Sequence, residues 1–198
     1  MSYRVLICVF LCALAAIGGV ACSEHYSGSG NDIGVPRPTA YPRTSLYDTT
    51  YCDVKLPMGF LVNTNALISN PEQKSSDSGN QWVDISYPAY SLTLHCTFIP
   101  VNNSTRDEIT AGRLERMTLN IGYNYAEQTE LTSPDGCNTI IFNTMGRSLT
   151  PLQFLSVGDD WVISGGAKFS ADSVNADSIR PILEAVKTDI IYAAKRLR

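Results

Sequence analysis

The stretch Leu152–Phe169, LQFLSVGDDWVISGGAKF, determines the fold class of this chain. It contains two strand-like runs, LQFLSV and WVISGGAKF, separated by the turn residues Gly158-Asp159-Asp160. Two short apolar runs joined by a Gly- and Asp-containing turn predict a β-hairpin. Strands that meet at a tight turn are antiparallel, whereas parallel neighbours need a long crossover. The stretch therefore argues against a parallel βαβ architecture.

Further strands are predicted upstream of this hairpin. The clearest is Ser91–Pro100, in which apolar residues alternate with polar ones at the period of a half-buried strand. Its inward-facing residues are predicted to be Leu92, Leu94, Cys96 and Phe98. Weaker strand patterns lie at Cys52–Val62, Trp82–Tyr87 and Asn138–Phe142.

Two helices complete the predicted domain. Thr105 and Glu108 have the spacing of a capping box, and the helix that they open has an apolar stripe at Leu114, Met117, Ile121 and Tyr125. A longer C-terminal helix is predicted to be capped by Asp177 or Ser178, to carry Pro181 in its first turn, and to bury Ile179, Ile182, Leu183, Val186 and Ile190. The predicted fold is α+β: an antiparallel sheet with one mid-chain helix and a long C-terminal helix packed on it.

Residues 1–21 have the layout of a lipoprotein signal peptide. Arg4 is followed by the apolar run Val5–Ile17, which is too short to span a bilayer comfortably, and Ala21 precedes Cys22. Two alternatives are plain secretion, with Cys22 left as a thiol, and an uncleaved anchor. Lipidation of Cys22 is favoured because residues 22–40 are polar, rich in Gly and Ser and then in Pro, as expected of a flexible tether. Residues 41–198 are then a single domain.

Charge and cysteine content limit the function classes. The chain has a net charge of −4, which argues against nucleic-acid binding. Its basic C-terminus, ending KRLR, is interpreted as a complement to a helix dipole rather than as a patch for anionic lipids. Three cysteines lie in the predicted domain and are candidates for a disulfide of open pairing: Cys52, Cys96 and Cys137. Their odd number leaves at least one thiol unpaired or bonded to another chain.

No catalytic or metal-binding template fits the domain. His95 lies within a strand among threonines and is interpreted as a surface histidine, and no G-x-S-x-G motif is present. Asp159 and Asp160 are interpreted as turn formers rather than as cation ligands, and Ser164-Gly165-Gly166 as a β-bulge or a close-approach point. We therefore expect a tethered domain that is not an enzyme and that needs neither a cofactor nor a metal.

Several motifs, taken in order, resemble the gliding motility lipoprotein GldD family of the Bacteroidota. They begin with Tyr41-Pro42-Arg43 after the tether and with Cys52, and they continue over residues 36–197. The other matching positions are Trp82, Ile85, Tyr87, Pro88 and Tyr90; Leu152–Leu155; Trp161, Gly166, Ala167 and Phe169; Asp177-Ser178-Ile179 with Pro181; and Lys187 with Asp189-Ile190. One position departs from the pattern, because the family tends to carry a cysteine where this chain has Gln81. That cysteine would be the partner of Cys52, which here is left to pair with Cys96, with Cys137 or with neither.

The resemblance implies a cell-envelope lipoprotein without catalytic activity that assembles or stabilises the gliding apparatus and its associated type IX secretion machinery. Its acyl chains would hold it on a membrane. Ser23 after Cys22, with no aspartate at that position and no acidic run behind it, favours the periplasmic face of the outer membrane. Its partners would be other envelope proteins. We expect Tyr41, Pro42 and Arg43 to form part of that contact. An alternative is a lipoprotein that binds a lipid or a cell-wall fragment in a pocket between sheet and helices.

Overall fold

The computed structural model describes residues 50–69, 79–170 and 174–198 of the chain, all of which lie in the predicted domain. Three predictions lie outside the described residues: the signal peptide of residues 1–21, the tether of residues 22–40 with Cys22, and the Tyr41-Pro42-Arg43 contact. Among the described residues, neither helix is long and apolar enough to cross a membrane.

Eleven strands and two helices are found in the described part of the chain. In chain order they are β1 (Tyr51–Asp53), β2 (Leu61–Asn63), β3 (Leu67–Ser69), β4 (Gln81–Tyr87), β5 (Leu92–Pro100), α1 (Arg106–Ile121), β6 (Ala126–Thr132), β7 (Asn138–Thr144), β8 (Arg147–Ser148), β9 (Leu152–Val157), β10 (Trp161–Phe169), β11 (Val174–Asn175) and α2 (Arg180–Ala194). Short 3₁₀ turns lie at Pro57–Gly59, Pro88–Tyr90 and Ala176–Ile179.

A seven-stranded sheet forms the centre of the domain, in the order β3-β4-β5-β10-β9-β7-β6. Every neighbouring pair in it is antiparallel. The hairpin predicted from Leu152–Phe169 forms β9 and β10 with the predicted bounds. Strand β10 also pairs with β5, from Trp161 opposite Pro100 to Phe169 opposite Leu92. The α+β prediction, with a mid-chain and a C-terminal helix, is therefore confirmed.

The two faces of the sheet are covered unequally. Helix α2 and the β1–β2 ribbon pack on one face and enclose the main apolar core, which contains the predicted inward residues of β5 and the apolar stripe of α2. Helix α1 lies on the other face over β9 and β10, where the fully buried cluster is only Met117, Leu155 and Val162. Because side chains alternate along a strand, the residues of β5 between the core positions, including His95, lie on the α1 face.

Gly165 allows a close approach between strands and core. A Cβ atom at this position would lie 2.2 Å from Cε1 of Phe154, a side chain that is completely buried. The pairing of β10 with β5 and with β9 runs through Gly165 without an extra residue. Of the two interpretations of the Ser164-Gly165-Gly166 segment, the structure supports a close approach of Phe154 to Gly165 and not a β-bulge.

The start and end of helix α1 correct the predicted capping box and stripe. Thr105 precedes the helix, but its side chain makes no capping hydrogen bond. Asn102 instead caps the turn that leads into the helix, since its Oδ1 accepts from the backbone N–H groups of Ser104 and Thr105 at 3.0 and 3.1 Å. The helix ends at Ile121, so Tyr125 lies beyond it, because Gly122 at φ 62° leaves the helical conformation.

The start of helix α2 corrects the predicted cap at Asp177 or Ser178. The side chain of Asn175 accepts a hydrogen bond from the Asp177 N–H and opens a 3₁₀ turn, and α2 begins only at Arg180. Pro181 lies in the first turn of α2 as predicted. The cap therefore lies two residues earlier because a 3₁₀ turn precedes the helix.

The basic C-terminus is held by specific contacts beyond the last turn of α2. The Arg196 guanidinium lies 3.6 Å from the ring centroid of Tyr192, and the Tyr51 ring stacks on that same ring at 3.6 Å. Leu197 is completely buried, and the Arg198 N–H donates to the Met58 carbonyl at 3.1 Å. The last turn of the helix itself carries no basic residue, but Arg196 just beyond it donates from Nη1 to the Tyr192 carbonyl of that turn at 3.2 Å, as a basic complement to the helix dipole should.

Candidate functional site

Helix α1 is more exposed than helix α2. Met117 is its one buried residue, whereas α2 buries seven. A helix that contributes little to the core leaves its outer face and its two flanks open for binding. The candidate site is therefore sought around α1.

An exposed apolar group surrounds the C-terminal end of α1, and we call it the aromatic patch. Its members are Leu119, Tyr123, Tyr125 and Leu149, of which Tyr123 is fully exposed and the others are 64–73% exposed. Leu119 lies in the last turn of α1, and hydrogen bonds join the segment that carries the two tyrosines to the one that leads to Leu149: Asn124 Nδ2 donates to the Arg147 carbonyl at 3.1 Å, and the Met145 N–H donates to the Tyr125 carbonyl at 2.8 Å. The four side chains thus lie at one end of the domain.

A groove runs between α1 and the strand β5, and we call it the arginine groove. It consists of a cavity of about 480 Å³ and a smaller cavity of about 180 Å³. Both are lined by Arg113 and Arg116, so the two cavities meet at these side chains. Burial lowers the pKa of Arg113, and the positive charge of Arg116 lowers it further.

His95 lies on the floor of the smaller cavity and forms a cross-strand pair. Its Nδ1 lies 2.6 Å from Oδ1 of Asp84, the residue directly opposite on β4. Both side chains are about half exposed. Within the described residues Asp84 is the one hydrogen-bond partner of His95, so the pair is not extended by a hydroxyl or thiol nucleophile. The predicted surface histidine bonded to a neighbour is confirmed.

A third cavity of about 480 Å³ lies beside the β9–β10 turn. Asp159 is paired there with Arg106 at 3.1 Å, and the Asp160 carbonyl accepts a hydrogen bond from the Val101 N–H at 2.8 Å. These contacts fit turn residues that join the β9–β10 turn to the end of β5 and to α1. No group of three or more His, Cys, Asp or Glu residues able to hold a metal occurs in the ranges that the structure describes.

The three cysteines of the domain are free thiols at separate places in the fold. Cys52 is half-buried on β1, and Cys96 is buried on β5, where burial raises the pKa of its thiol. Cys137 is buried just before β7 and lines the cavity at the β9–β10 turn. Their candidacy for a disulfide stays a prediction.

Asp189 brings together elements that are far apart in sequence. Its Oδ1 accepts hydrogen bonds from the Tyr51 hydroxyl at 2.7 Å and from Asn63 Nδ2 at 3.2 Å, and its side chain also bonds Tyr87. Tyr87 and Asp189 are both motif positions of the family resemblance, and the structure shows that they touch. This cluster joins β1, β2 and β4 to α2, which is a structural role.

Sequence reasoning names Tyr125, His95 and Ser164 in other roles but predicts neither the aromatic patch nor the arginine groove. One available signal was the pair Arg113 and Arg116, which lie three positions apart and hence on one helix face. Another was Leu119, an apolar residue off the predicted stripe. Neither signal is specific in sequence, because both acquire meaning only from the neighbouring loops and strands.

Comparisons with known proteins agree with the motif order. The family model described as gliding motility lipoprotein GldD matches residues 31–197. No curated protein and no solved structure matches the chain.

Proposed function

The chain belongs to the gliding motility lipoprotein GldD family, and from that membership we propose that it is a non-catalytic component that assembles or stabilises the gliding apparatus and its type IX secretion machinery. As a member of this family it is a gliding-associated lipoprotein, anchored by lipid in the cell envelope. Its contribution would be to bind other envelope proteins at a membrane surface.

Cys22 would provide the anchor, on the periplasmic face of the outer membrane. Several acyl chains, each worth about 0.8 kcal/mol per buried methylene, make such attachment effectively permanent. A Gly- and Ser-rich chain of the length of residues 22–40 spans roughly 25 Å root-mean-square. The domain would therefore stay near the membrane and still present its surfaces to neighbouring proteins.

The aromatic patch is the observation that carries this proposal. Tyrosine offers a large ring with a polar tip and is enriched at protein interfaces. Leu119, Tyr123, Tyr125 and Leu149 are well exposed, and solvated clusters of this kind mark interaction sites in soluble domains. A protein partner is favoured over the lipid surface because the chain is acidic, with a net charge of −4, and gains no attraction from anionic lipids.

The pairing of the titratable groups supports the absence of catalysis. His95 bonds Asp84, and Arg106 bonds Asp159, in exposed cross-element pairs. A catalytic histidine would need a nucleophile or substrate group within hydrogen-bond reach. We expect that substituting His95, Asp159 and Asp160 together leaves motility and secretion unchanged.

Co-purification in the native host tests the partner-binding role. The tagged full chain is extracted in mild detergent after cross-linking, and gliding and secretion components are quantified by mass spectrometry. We expect their recovery to fall at least fivefold in Tyr123→Ser/Tyr125→Ser. The matched control is Leu67→Ser, which removes an exposed apolar side chain from the far edge of the sheet.

Two outcomes would overturn the proposal. One is recovery of the chain alone at its native expression level. The other is equal loss of partners in the patch variant and in the Leu67→Ser control. A variant with Tyr41→Ala and Arg43→Ala tests in the same assay the contact predicted beside the tether.

A second candidate function is binding of a lipid or cell-wall ligand between sheet and helix. The side of the sheet under α2 is filled by the main apolar core. The arginine groove beside α1, in contrast, is an open sheet–helix cavity. This observation favours a ligand on the α1 side.

A further inference from the structure

We propose that the arginine groove binds an oxyanion of the phosphate class, held by Arg113 and Arg116 on α1 and by hydroxyl groups on the sheet beneath them. The inference deepens the second candidate function and does not depend on the partner-binding role. Arginine suits this task because its planar guanidinium donates paired hydrogen bonds to a phosphate.

The first observation is that two adjacent positive charges lack a counter-charge. The ion pairs of the described residues involve His95, Arg106 and Lys187, and none involves Arg113 or Arg116. The two arginines lie three residues apart on one helix face, where like charges repel. Burial lowers the pKa of Arg113, and the positive charge of Arg116 lowers it further.

No acidic side chain is among the described residues that line either cavity of the groove. Asp84 lies on the same sheet face, but its carboxylate is hydrogen-bonded to His95 at 2.6 Å. Lys168, also on this face of β10, is exposed and adds positive charge. The described side chains that line the groove thus include two positive charges and no negative one, which favours an anion.

The second observation is a pair of hydroxyl groups without partners beneath the arginines. Thr97 and Ser164 are directly opposite each other on β5 and β10, and both line the smaller cavity. No other described residue hydrogen-bonds to either side chain. Hydroxyl donors of this kind complete the coordination of an oxyanion that two guanidinium groups begin.

Two further polar side chains of the smaller cavity, Asn120 and Gln153, are used within the protein. Asn120 Nδ2 donates to Gln153 Oε1 at 2.9 Å, and Gln153 Nε2 donates to the Met117 carbonyl at 3.4 Å. These bonds fix the wall of the cavity between α1 and β9. The donors left without a partner among the described residues that line this space of about 180 Å³ include the two arginines and the hydroxyl groups of Thr97, Ser164 and Thr150.

The lining of the larger cavity indicates what kind of chemical group is attached to the phosphate. It extends from the arginines to Ile99, Pro100 and Ile109, which form an apolar wall. A phosphate group on the arginines would leave this wall for an apolar portion of the ligand. The shared chemistry is a phosphate, supplied either by a phospholipid headgroup or by a soluble phosphate ester.

Isothermal titration calorimetry on the full chain tests the site. The protein carries Cys22→Ser, so that it is obtained without acyl chains. The probes are dihexanoyl phosphatidylglycerol, dihexanoyl phosphatidylcholine and inorganic phosphate, each below any micellar concentration. The site variant is Arg113→Gln/Arg116→Gln, and the matched control is Arg180→Gln/Lys195→Gln, which removes two exposed charges around α2.

We expect an anionic probe to bind wild type and the control alike, and to bind the site variant at least tenfold more weakly. Tighter binding of phosphatidylglycerol than of phosphate assigns the source to a lipid headgroup, and equal binding assigns it to a soluble ester. The inference is overturned if neither anion binds, if the zwitterionic lipid binds equally well, or if the site variant matches wild type. Circular dichroism of the site variant shows whether its fold is retained, and Arg113→Lys/Arg116→Lys, which keeps the charge, should retain part of the affinity.

Discussion

The Tyr51 hydroxyl donates a 2.7 Å hydrogen bond to the Asp189 carboxylate, which lies 138 residues later in the chain. The same carboxylate accepts from Asn63 and bonds Tyr87, and the Tyr51 ring stacks on Tyr192 one turn further along α2. β1 is the first described strand after the predicted tether. The strand nearest the membrane anchor is therefore fastened directly to the C-terminal helix.

Replacing the shared acceptor should destabilise the domain. Asp189→Asn removes the charge that accepts from three donors, and hydrogen bonds to charged groups contribute about 1.5–3 kcal/mol. We expect the free energy of unfolding, measured in urea, to fall by about 2 kcal/mol. The control is Asp107→Asn, since the Asp107 carboxylate is 95% exposed. Equal effects of both substitutions would show that the cluster contributes nothing specific.

Stability should decline at alkaline pH. Burial, followed by the hydrogen bond to Asp189, raises the pKa of Tyr51 above its usual 10, and burial does the same for the pKa values of Tyr87 and of Cys96. The folded state holds these protons more tightly than the unfolded state, so the stabilisation is complete below pH 9 and declines progressively as the pH rises above 9 to 10, towards the raised pKa values of the folded state. Urea midpoints between pH 8 and 11 should show this decline. Tyr51→Phe should make it shallower, and an unchanged slope would contradict the contribution of Tyr51.

Adding one methyl group at Gly165 should be costly. The new Cβ would lie 2.2 Å from Cε1 of buried Phe154, and overpacking of this kind costs typically 1–3 kcal/mol. Gly166→Ala is the matched control, because its nearest neighbour, Thr150 Cγ2, lies at 3.7 Å. Thermal unfolding should give a lower Tm for Gly165→Ala alone.

A second substitution identifies the cause of that loss. Phe154→Leu removes the ring atoms that the methyl group would meet, so the double variant Gly165→Ala/Phe154→Leu should lose less stability than the two single changes predict together. Additive losses would place the effect of Gly165→Ala elsewhere.

Substitutions can distinguish the Asn102 cap observed just before helix α1 from the capping box predicted at Thr105 and Glu108. Asn102→Ala removes the oxygen that accepts from the Ser104 and Thr105 N–H groups and should cost about 1 kcal/mol. Glu108→Ala should change stability little, since no capping bond forms at Thr105. Urea unfolding of both variants provides the comparison, and a larger effect at Glu108 would restore the capping box.

Membrane attachment through Cys22 predicts a simple fractionation result. Cys22→Ser removes the acylation site, so we expect the chain to leave the membrane pellet and to appear in the soluble fraction. Metabolic labelling with a fatty-acid analogue should mark the wild-type chain and not the variant. A variant that stays in the membrane pellet would indicate an uncleaved anchor.

Local patterns predicted the central strands and missed the polar edge. The hairpin and β5 show strong alternation, because one face of each strand is buried in the core. β6 (Ala126–Thr132, AEQTELT) lacks such a pattern, since it is an edge strand with largely exposed side chains. It forms because it pairs with β7 along its whole length, from Ala126 opposite Thr144 to Thr132 opposite Asn138.

The candidate sites were less accessible to sequence reasoning than the fold. The strand pattern predicts that His95 is a surface histidine. It does not predict the partner Asp84, because the pairing of the two residues depends on the register of β4 and β5. Arg113 and Arg116 form a candidate site only because helix α1 packs over β10. In that position they lie above Thr97 and Ser164, which are distant from them in the chain.

Residue order alone was sufficient for the antiparallel hairpin of Leu152–Phe169, for the inward face of β5 and for membership of a lipoprotein family, since each depends on spacing within a short segment or on motif order. The three-dimensional packing was needed for the meeting of Tyr51 with Asp189, for the arginine groove and for the aromatic patch. The physical reason is that these groups converge from elements up to 138 residues apart. Their proximity follows from strand order and from the side of the sheet on which each helix packs, which no local periodicity encodes.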